Sequence, residues 1–545
     1  AWFKDKAATA IESNPQHAIY AVSFQKTDLA FPMVWAPDAA WVSAVNVTAR
    51  YAQKISTNIY DVQLQVKVLD ARTGKRVAAR VTVSNDSVEL EGVSKDESAD
   101  MNEMLTFEIP AKGVYKIRTQ LNGRLAEQDF SADGPGEKTV VLELNNLEPL
   151  NANDETKLKK ALDDYFAASP EQQAKWKFSR HLEKLLAANE PAVRQLAWEW
   201  FKASSVHDAL RQAFDAQEVH FQNYTSPYTV KYVGQRPANG WALFIALHGG
   251  GGVPKEVNDD QWRKMQRYYR KHPEAGGYIY LAPRAPNDTW NGFYDDYVYP
   301  LVANLVHEFL LFGDVDPDKV FIMGYSHGGY GAFTIGPKEP DLFAAIHASA
   351  AAPTDGETAA KTLRNTVFTC MVGDRDIEYN RYERDEKFRA AVAQLRDDRT
   401  DIYPVTVDII KGNGHRGLPD RDLIPQMYPA VRDPAPRELT WLMTDSVITD
   451  FFWLHTDAPG KQEEIDAVCR DNQVTVTTTN VTSGTVFLDS RLVDFSKPVT
   501  FDVNGKTAVE KLQPSLRTLC ETLQHRCDPG LAFTAEVPLR LTHEK

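Results

Sequence analysis

Cysteine is scarce in this sequence: four in 545 residues, at Cys370, Cys469, Cys520 and Cys527. No two have the spacing of metal ligands, and the three near the end permit at most one disulfide. If the segment from Ser515 runs as one helix through Cys527, then Cys520 and Cys527 are separated by ~10 Å of rise, too far for a bridge. Cys469 with one of those two is the remaining local pairing. Cys370 lies on an apolar run and is expected as a buried free thiol. Long apolar stretches are missing as well, so no segment reaches bilayer length and no membrane partner is expected. Runs of Lys or Arg are missing, and the formal net charge of -14 repels nucleic acid. No internal repeat is present, which argues against a propeller of blades about 40–50 residues long. Long disorder is excluded by an ordinary composition, 43% hydrophobic and 25% charged. The first residue is Ala1, which fits either removal of an export signal or trimming, so the expected location is secreted or periplasmic.

The length suggests several domains. Residues 1–39 carry mixed signals and read as an N-terminal arm. Over 40–148 short alternating strands recur: Val62, Leu64, Val66 and Val68 alternate with polar residues, and a turn follows at Thr73-Gly74. Similar strands near 105–109, 114–117 and 140–144 predict a β-sandwich accessory domain. Residues 149–218 are helical in period, with Leu158, Leu162, Tyr165 and Phe166 on one face. Ser169-Pro170-Glu171-Gln172 reads as a helix start. Between 219 and 460 apolar strands alternate with helices. Strands are expected at 242–247, 278–282, 320–323, 343–350, 367–372 and 405–410, and helices at 261–269, 299–312 and 384–395. That order implies a mostly parallel sheet covered on both faces. Residues 461–545 return to strands, with a helix near 515–524, and read as a small α+β accessory module.

The chemistry concentrates in four segments. Gly324-Tyr325-Ser326-His327-Gly328 matches G-x-S-x-G after an apolar strand, the pattern that holds a nucleophilic serine on a sharp strand-to-helix turn. His248-Gly249-Gly250-Gly251-Gly252 follows another buried strand. A phosphate loop would need G-x-x-x-x-G-K-[ST], and that Lys is missing. Glycines let backbone N–H groups approach a developing oxyanion, so Gly249 or Gly250 is expected to supply one donor and His327 the second. His248 is expected to position the loop. A serine needs a base, and the base needs an orienting acid. Gly373-Asp374-Arg375-Asp376 and Gly412-Asn413-Gly414-His415 each follow a strand, which puts Asp376 as acid and His415 as base, with Asp374 as the competing acid. Trp290, Tyr294 and Tyr297 form an aromatic stretch that either packs the core or walls a pocket. Arg284 and Arg375 are candidates for binding a carboxylate.

Together, LHGGGG at 247–252, VDPDKVFIMGYSHGGYGAF at 315–333, VGDRD at 372–376 and GNGH at 412–415 resemble the α/β-hydrolase superfamily. The nearest branch is similar to feruloyl and acetylxylan esterases, polyhydroxybutyrate depolymerases and the prolyl-oligopeptidase catalytic domain. The resemblance covers about 219–460. It implies an α/β-hydrolase catalytic domain, the chain order Ser326, Asp376, His415, and an acid at the last position of G-x-x-D. It further implies ester hydrolysis with no metal or organic cofactor, on a small-molecule or polymeric ester of carbohydrate, phenolic or polyester type. A peptidase with the same triad and a polysaccharide-binding scaffold with a vestigial hydrolase are the alternatives. PVTFDVNGK at 498–506 looks like an accessory module found after such domains.

Overall fold

The computed structural model describes residues 62–70, 75–96, 99, 103–121, 124–144, 150–539 and 541. The expected arm at 1–39, the start of the first strand domain and the turn at Thr73-Gly74 lie outside these residues. Two compact units are present, one formed by residues up to 120 and 125–145, the other by 121–124 and 146–545.

The described residues of the first unit form strands: β1 (Val62–Asp70), β2 (Arg80–Ser84), β3 (Glu89–Val93), β4 (Leu105–Ile109), β5 (Lys112–Leu121), β6 (Arg124–Asp133) and β7 (Gly136–Leu144). They form one sheet in the order β4-β1-β7 and another in the order β3-β2-β5-β6. The alternation read from the sequence has a physical counterpart in burial. Val62, Leu64, Val66 and Val68 are buried along β1, and Tyr115, Ile117 and Leu121 along β5, so each strand turns one apolar face to the core. β1 pairs antiparallel with β4 and parallel with β7.

The second unit opens with helices α1 (Ala152–Phe166), α2 (Pro170–Gln173), α3 (Arg180–Ala188), α4 (Glu190–Ala203) and α5 (Asp208–Ala216). Gln172 accepts from the Ser169 N–H at 3.0 Å, as a helix start of this sequence should. There follow β8 (Glu218–Phe221), β9 (Tyr224–Val233), β10 (Trp241–Leu247), α6 (Lys255–Met265), β11 (Tyr278–Pro283), α7 (Val298–Phe312), β12 (Val315–Tyr325), α8 (His327–Lys338), β13 (Ala345–Ser349), β14 (Val367–Gly373), α9 (Arg381–Arg396) and β15 (Val405–Ile410). The eight strands β8–β15 make one sheet in the order β15-β14-β13-β12-β10-β11-β9-β8. β9 runs antiparallel to β8 and β11, and the other pairings are parallel.

β10 explains why this sheet is covered on both faces. Leu243, Ile245 and Leu247 enter one apolar core, and Ala242, Phe244 and Ala246 enter the core on the opposite side. A strand with two buried faces reads as a continuous apolar run, which is why it was legible in the sequence. Several boundaries differ from expectation, two of them most at the start of the element. α6 begins at Lys255, ahead of 261, because its first turn is largely polar and its one apolar residue, Val257, is exposed. β12 begins at Val315, ahead of 320; its register against β10 shifts after Trp241, so the polar residues 316–319 still belong to the strand.

Beyond the sheet lie α10 (Ile424–Met427), β16 (Glu438–Leu442), β17 (Asp450–Phe451), β18 (Leu454–His455), β19 (Glu464–Arg470), β20 (Gln473–Thr479), β21 (Thr485–Leu488), β22 (Val499–Val503), β23 (Lys506–Glu510), α11 (Leu516–Arg526) and β24 (Ala535–Pro538). They form two sheets, β16-β19-β20-β22-β23 and β17-β18-β21-β24. The boundary expected at 460 therefore cuts the first of these sheets, since β16 pairs with β19. The helices and the tail also share a core: Leu158, Leu162, Val193 and Phe201 pack with Leu516, Leu519 and Leu523. A buried ion pair, Arg194 to Asp489 at 2.9 Å, ties the same parts together.

All four cysteines are free and buried. The bridge considered for Cys469 is not formed, because Cys469 packs in the core of the two tail sheets while Cys520 and Cys527 pack in the helical core. Cys370 is the expected buried thiol on β14. Among the described residues no helix is long and apolar enough to cross a membrane.

Candidate active site

Ser326 stands between β12 and α8 with φ 57° and ψ -117°. A non-glycine residue in this region is strained by about 1–3 kcal/mol, and such strain persists only where the surroundings enforce it. The flanking glycines show how. A Cβ on Gly324 would lie 2.1 Å from the Gly328 carbonyl oxygen, and one on Gly328 would lie 2.1 Å from that of Leu247. Only glycine fits at either position, so the turn can close tightly enough to lift the serine clear of the sheet. The Ser326 N–H donates to the Ser349 carbonyl of β13 at 2.9 Å, pinning the turn from beneath.

His415 comes from the loop after β15, and its Nε2 is 2.9 Å from Ser326 Oγ. Its Nδ1 is 2.9 Å from Asp376 Oδ2. Asp376 is buried. Asp374 points elsewhere: its carboxylate accepts from the Gly412 N–H at 2.8 Å, bracing the loop that carries His415. Sequence reasoning missed Arg381, at the first position of α9. Its guanidinium grips Asp376 with Nε to Oδ2 at 2.9 Å and a terminal nitrogen to Oδ1 at 2.7 Å. A buried arginine five residues beyond an acid has no periodic or motif signal. The His415 carbonyl also accepts from the Tyr325 hydroxyl.

The glycine loop after β10 lies against the serine. A Cβ on Gly249 would be 3.6 Å from Ser326 Cβ. Gly250 and Gly251 have φ of 118° and 79°, backbone that other residues rarely adopt. The Gly251 N–H is already engaged, donating to Asn258 Oδ1 at 3.0 Å. His327 opens α8, where a first-turn N–H has no acceptor within the helix. Its ring is fixed by donation from Nε2 to the Trp290 carbonyl at 2.7 Å, and burial lowers its pKa to about 4. His248 braces the loop through both nitrogens. Nε2 accepts from the Ala285 N–H at 2.9 Å, so Nδ1 carries the hydrogen and donates to the Gly249 carbonyl at 2.6 Å. Burial lowers its pKa to about 3, which keeps it neutral.

The aromatic stretch divides. Trp290 is 42% exposed, and Tyr379, not singled out from the sequence, is 65% exposed. Their rings lie 5.7 Å apart at 28°, beside His327, whose ring centroid is 5.7 Å from that of Trp290. Tyr294 is half-buried, with its ring 6.1 Å from His327. Tyr297 is a packing residue, stacked on Tyr224 at 3.4 Å. Arg284 does not serve as a ligand for a substrate carboxylate. It is buried and spends its donors on Asp259, Asp288 and the carbonyls of Ala285 and Asn287, which fixes the loop that carries Trp290. Arg375 is exposed at the bend between Asp374 and Asp376.

No family model and no curated protein matches the sequence. Among solved structures the chain is similar to LpqC, a poly(3-hydroxybutyrate) depolymerase from Bordetella parapertussis, at 16% identity over 37% of this chain and 82% of that one, with a TM-score of 0.27. It is similar to Est1E from Butyrivibrio proteoclasticus at 13% identity over 39% of this chain and 95% of that one, TM-score 0.27. It is also similar to a ferulic acid esterase at 17% identity over 38% of this chain and 97% of that one, TM-score 0.26. At these scores the matches add nothing to the geometry. From its own strand order and the serine on the turn after β12, the second unit carries an α/β-hydrolase fold.

Proposed function

We propose that this chain is a serine-dependent carboxylic ester hydrolase. The observation that carries the reading is the relay of Ser326, His415 and Asp376, with both links at 2.9 Å, beside a glycine loop that lies against the serine. Ser326 Oγ attacks the ester carbonyl carbon while His415 Nε2 takes its proton. The carbonyl oxygen becomes an oxyanion and is met by the N–H groups of His327 and of Gly249 or Gly250. His415 then protonates the leaving alcohol, and an acyl-enzyme remains. Water, deprotonated by His415, attacks the acyl carbon and releases the acid. Asp376 keeps the Nδ1–H tautomer of His415 and stabilises its cation.

The substrate reading is an ester of carbohydrate, phenolic or polyester type, small or polymeric. The exposed Trp290 and Tyr379 rings favour a flat apolar or sugar ring at the rim. We read the β8–β15 sheet with its helices as the catalytic domain, 149–218 as a helical connector, and the strands within 40–148 and the two sheets from β16 onward as accessory modules, the former a β-sandwich. The deciding experiment is turnover on short and long acyl esters, feruloyl esters, acetylated xylan and a peptide amide. Ester turnover well above amide turnover is expected. The reverse preference would make the chain a peptidase.

A further inference from the structure

A second set of donor side chains lies far along the chain, on the β17–β18 hairpin and the last turn of α11. Asp450 and His455 face each other across the hairpin. His455 Nδ1 is 3.0 Å from Asp450 Oδ1, and His525 Nε2 is 2.7 Å from Asp450 Oδ2. All three donor atoms lie within 4.8 Å of one another. Around a tetrahedral zinc ion, with N and O ligands at about 2.0–2.2 Å, neighbouring ligand atoms are ~3.3 Å apart. The two histidine–Asp450 separations lie within an ångström of that spacing, and the two histidine nitrogens are within 4.8 Å of each other.

The far side of His455 gives an independent reason. Its Nε2 is 3.1 Å from Asp457 Oδ1. A carboxylate only accepts, so each ring nitrogen must turn positive charge toward its own carboxylate: a proton on both, or a proton on Nε2 and a cation beyond the Nδ1 lone pair. In the second state the lone pair and the Asp450 carboxylate are aimed at one point, which a cation between them satisfies. A carboxylate that fixes the tautomer of a histidine from its other nitrogen is the usual support of a metal ligand. The surroundings leave room for positive charge. Arg526 lies 3.6 Å from Asp450 Oδ1, but it also pairs with Asp341, so its charge is shared between two carboxylates. The Thr449 hydroxyl donates to Asp450 Oδ2 at 2.7 Å, steadying the carboxylate. The His525 side chain is 52% exposed, which gives an ion a way in.

We propose that Asp450, His455 and His525 form a structural divalent-cation site suited to zinc, with Asp457 orienting His455. Two imidazoles and one carboxylate suit zinc better than calcium or magnesium, which take oxygen ligands. The ion would clamp the end of α11 to the hairpin. It takes no part in the ester chemistry.

The test uses the full chain, stripped with EDTA and titrated with zinc chloride by calorimetry, with Tm followed in parallel. One equivalent of zinc and a raised Tm are expected. His525→Gln should abolish both, and because this side chain is half exposed its loss empties no core. Asp457→Asn should weaken zinc binding about 10–100-fold while leaving the zinc-free Tm unchanged, and ester turnover by His525→Gln should match wild type. Wild-type protein that takes up no zinc would overturn the proposal, as would uptake that is unchanged in His525→Gln.

Discussion

Arg381 and Asp376 form a buried two-pronged ion pair, and the Asp376 oxygen that meets Arg381 Nε is the one that faces His415. The guanidinium also lies over the Tyr379 ring, 5.2 Å from its centroid. One side chain therefore sets the plane of the acid and supports an aromatic at the rim. Arg381 acts as a positioning residue. Arg381→Gln should lower kcat, by about 10² if the carboxylate turns away by an ångström, with KM for a small ester little changed. Arg381→Lys should recover only part, because an ammonium cannot grip both oxygens. Steady-state kinetics on a small ester check this, and equal losses in kcat and Tm-corrected folding would assign Arg381 a purely structural role.

Asp376 and Asp374 should separate cleanly. Asp376→Asn leaves the geometry in place but favours the wrong tautomer of His415, and by serine-protease precedent kcat should fall by roughly 10⁴. Asp374→Asn keeps an oxygen for the Gly412 N–H and should have a small effect. Measuring kcat for both decides it, and the reverse ranking would mean the acid is misassigned.

Gly251 is held at φ 79°, and a Cβ there would lie 2.7 Å from the His327 ring. Gly251→Ala should push His327 and the glycine loop apart. Loss of one oxyanion donor costs about 10²–10³ in kcat, and a drop of that order is expected with the fold retained by circular dichroism. An unchanged kcat would show that the loop does not serve the oxyanion.

Burial raises the carboxyls of Asp385 and Glu308 to about 8. Neither Asp385 oxygen has a hydrogen-bond partner among the described residues. In the unfolded chain such groups titrate near 4, so the folded protein holds protons that the unfolded one releases. Their contribution to stability is present below about pH 4 and is lost as pH rises through about 8. Asp385→Asn should therefore gain Tm over wild type at pH 9 relative to the difference at pH 5. Melting curves at the two pH values check it, and an unchanged difference would contradict the assignment.

The parts of the molecule that could be read from sequence are those whose signal is local. β10, β14 and β15 are bounded by their own apolar runs. Ser326 and the glycine loop declare themselves because only glycine tolerates the close backbone contacts around them. Asp376 and His415 follow strands, and strand ends in such a sheet face one edge. What could not be read depends on contacts across the chain. Arg381 looks like any helix-start arginine until Asp376 is beside it. Arg284 looks available until Asp259 and Asp288 are seen to occupy it. The pairing of β16 with β19 joins segments on either side of what composition suggested was a boundary. Tyr379 sits on a turn with φ 55°, a conformation for which its sequence carries no glycine signal.

The most direct test is covalent. A fluorophosphonate reacts only with an activated serine hydroxyl, and mass mapping locates the adduct. One phosphonyl group per chain is expected on the peptide that contains Ser326, with loss of ester turnover in step with labelling and no adduct in Ser326→Ala. That variant should keep only the small residual rate that oxyanion donors and binding provide. An adduct on a different serine, or a Ser326→Ala protein that retains more than about a tenth of the wild-type rate, would contradict Ser326 as the nucleophile.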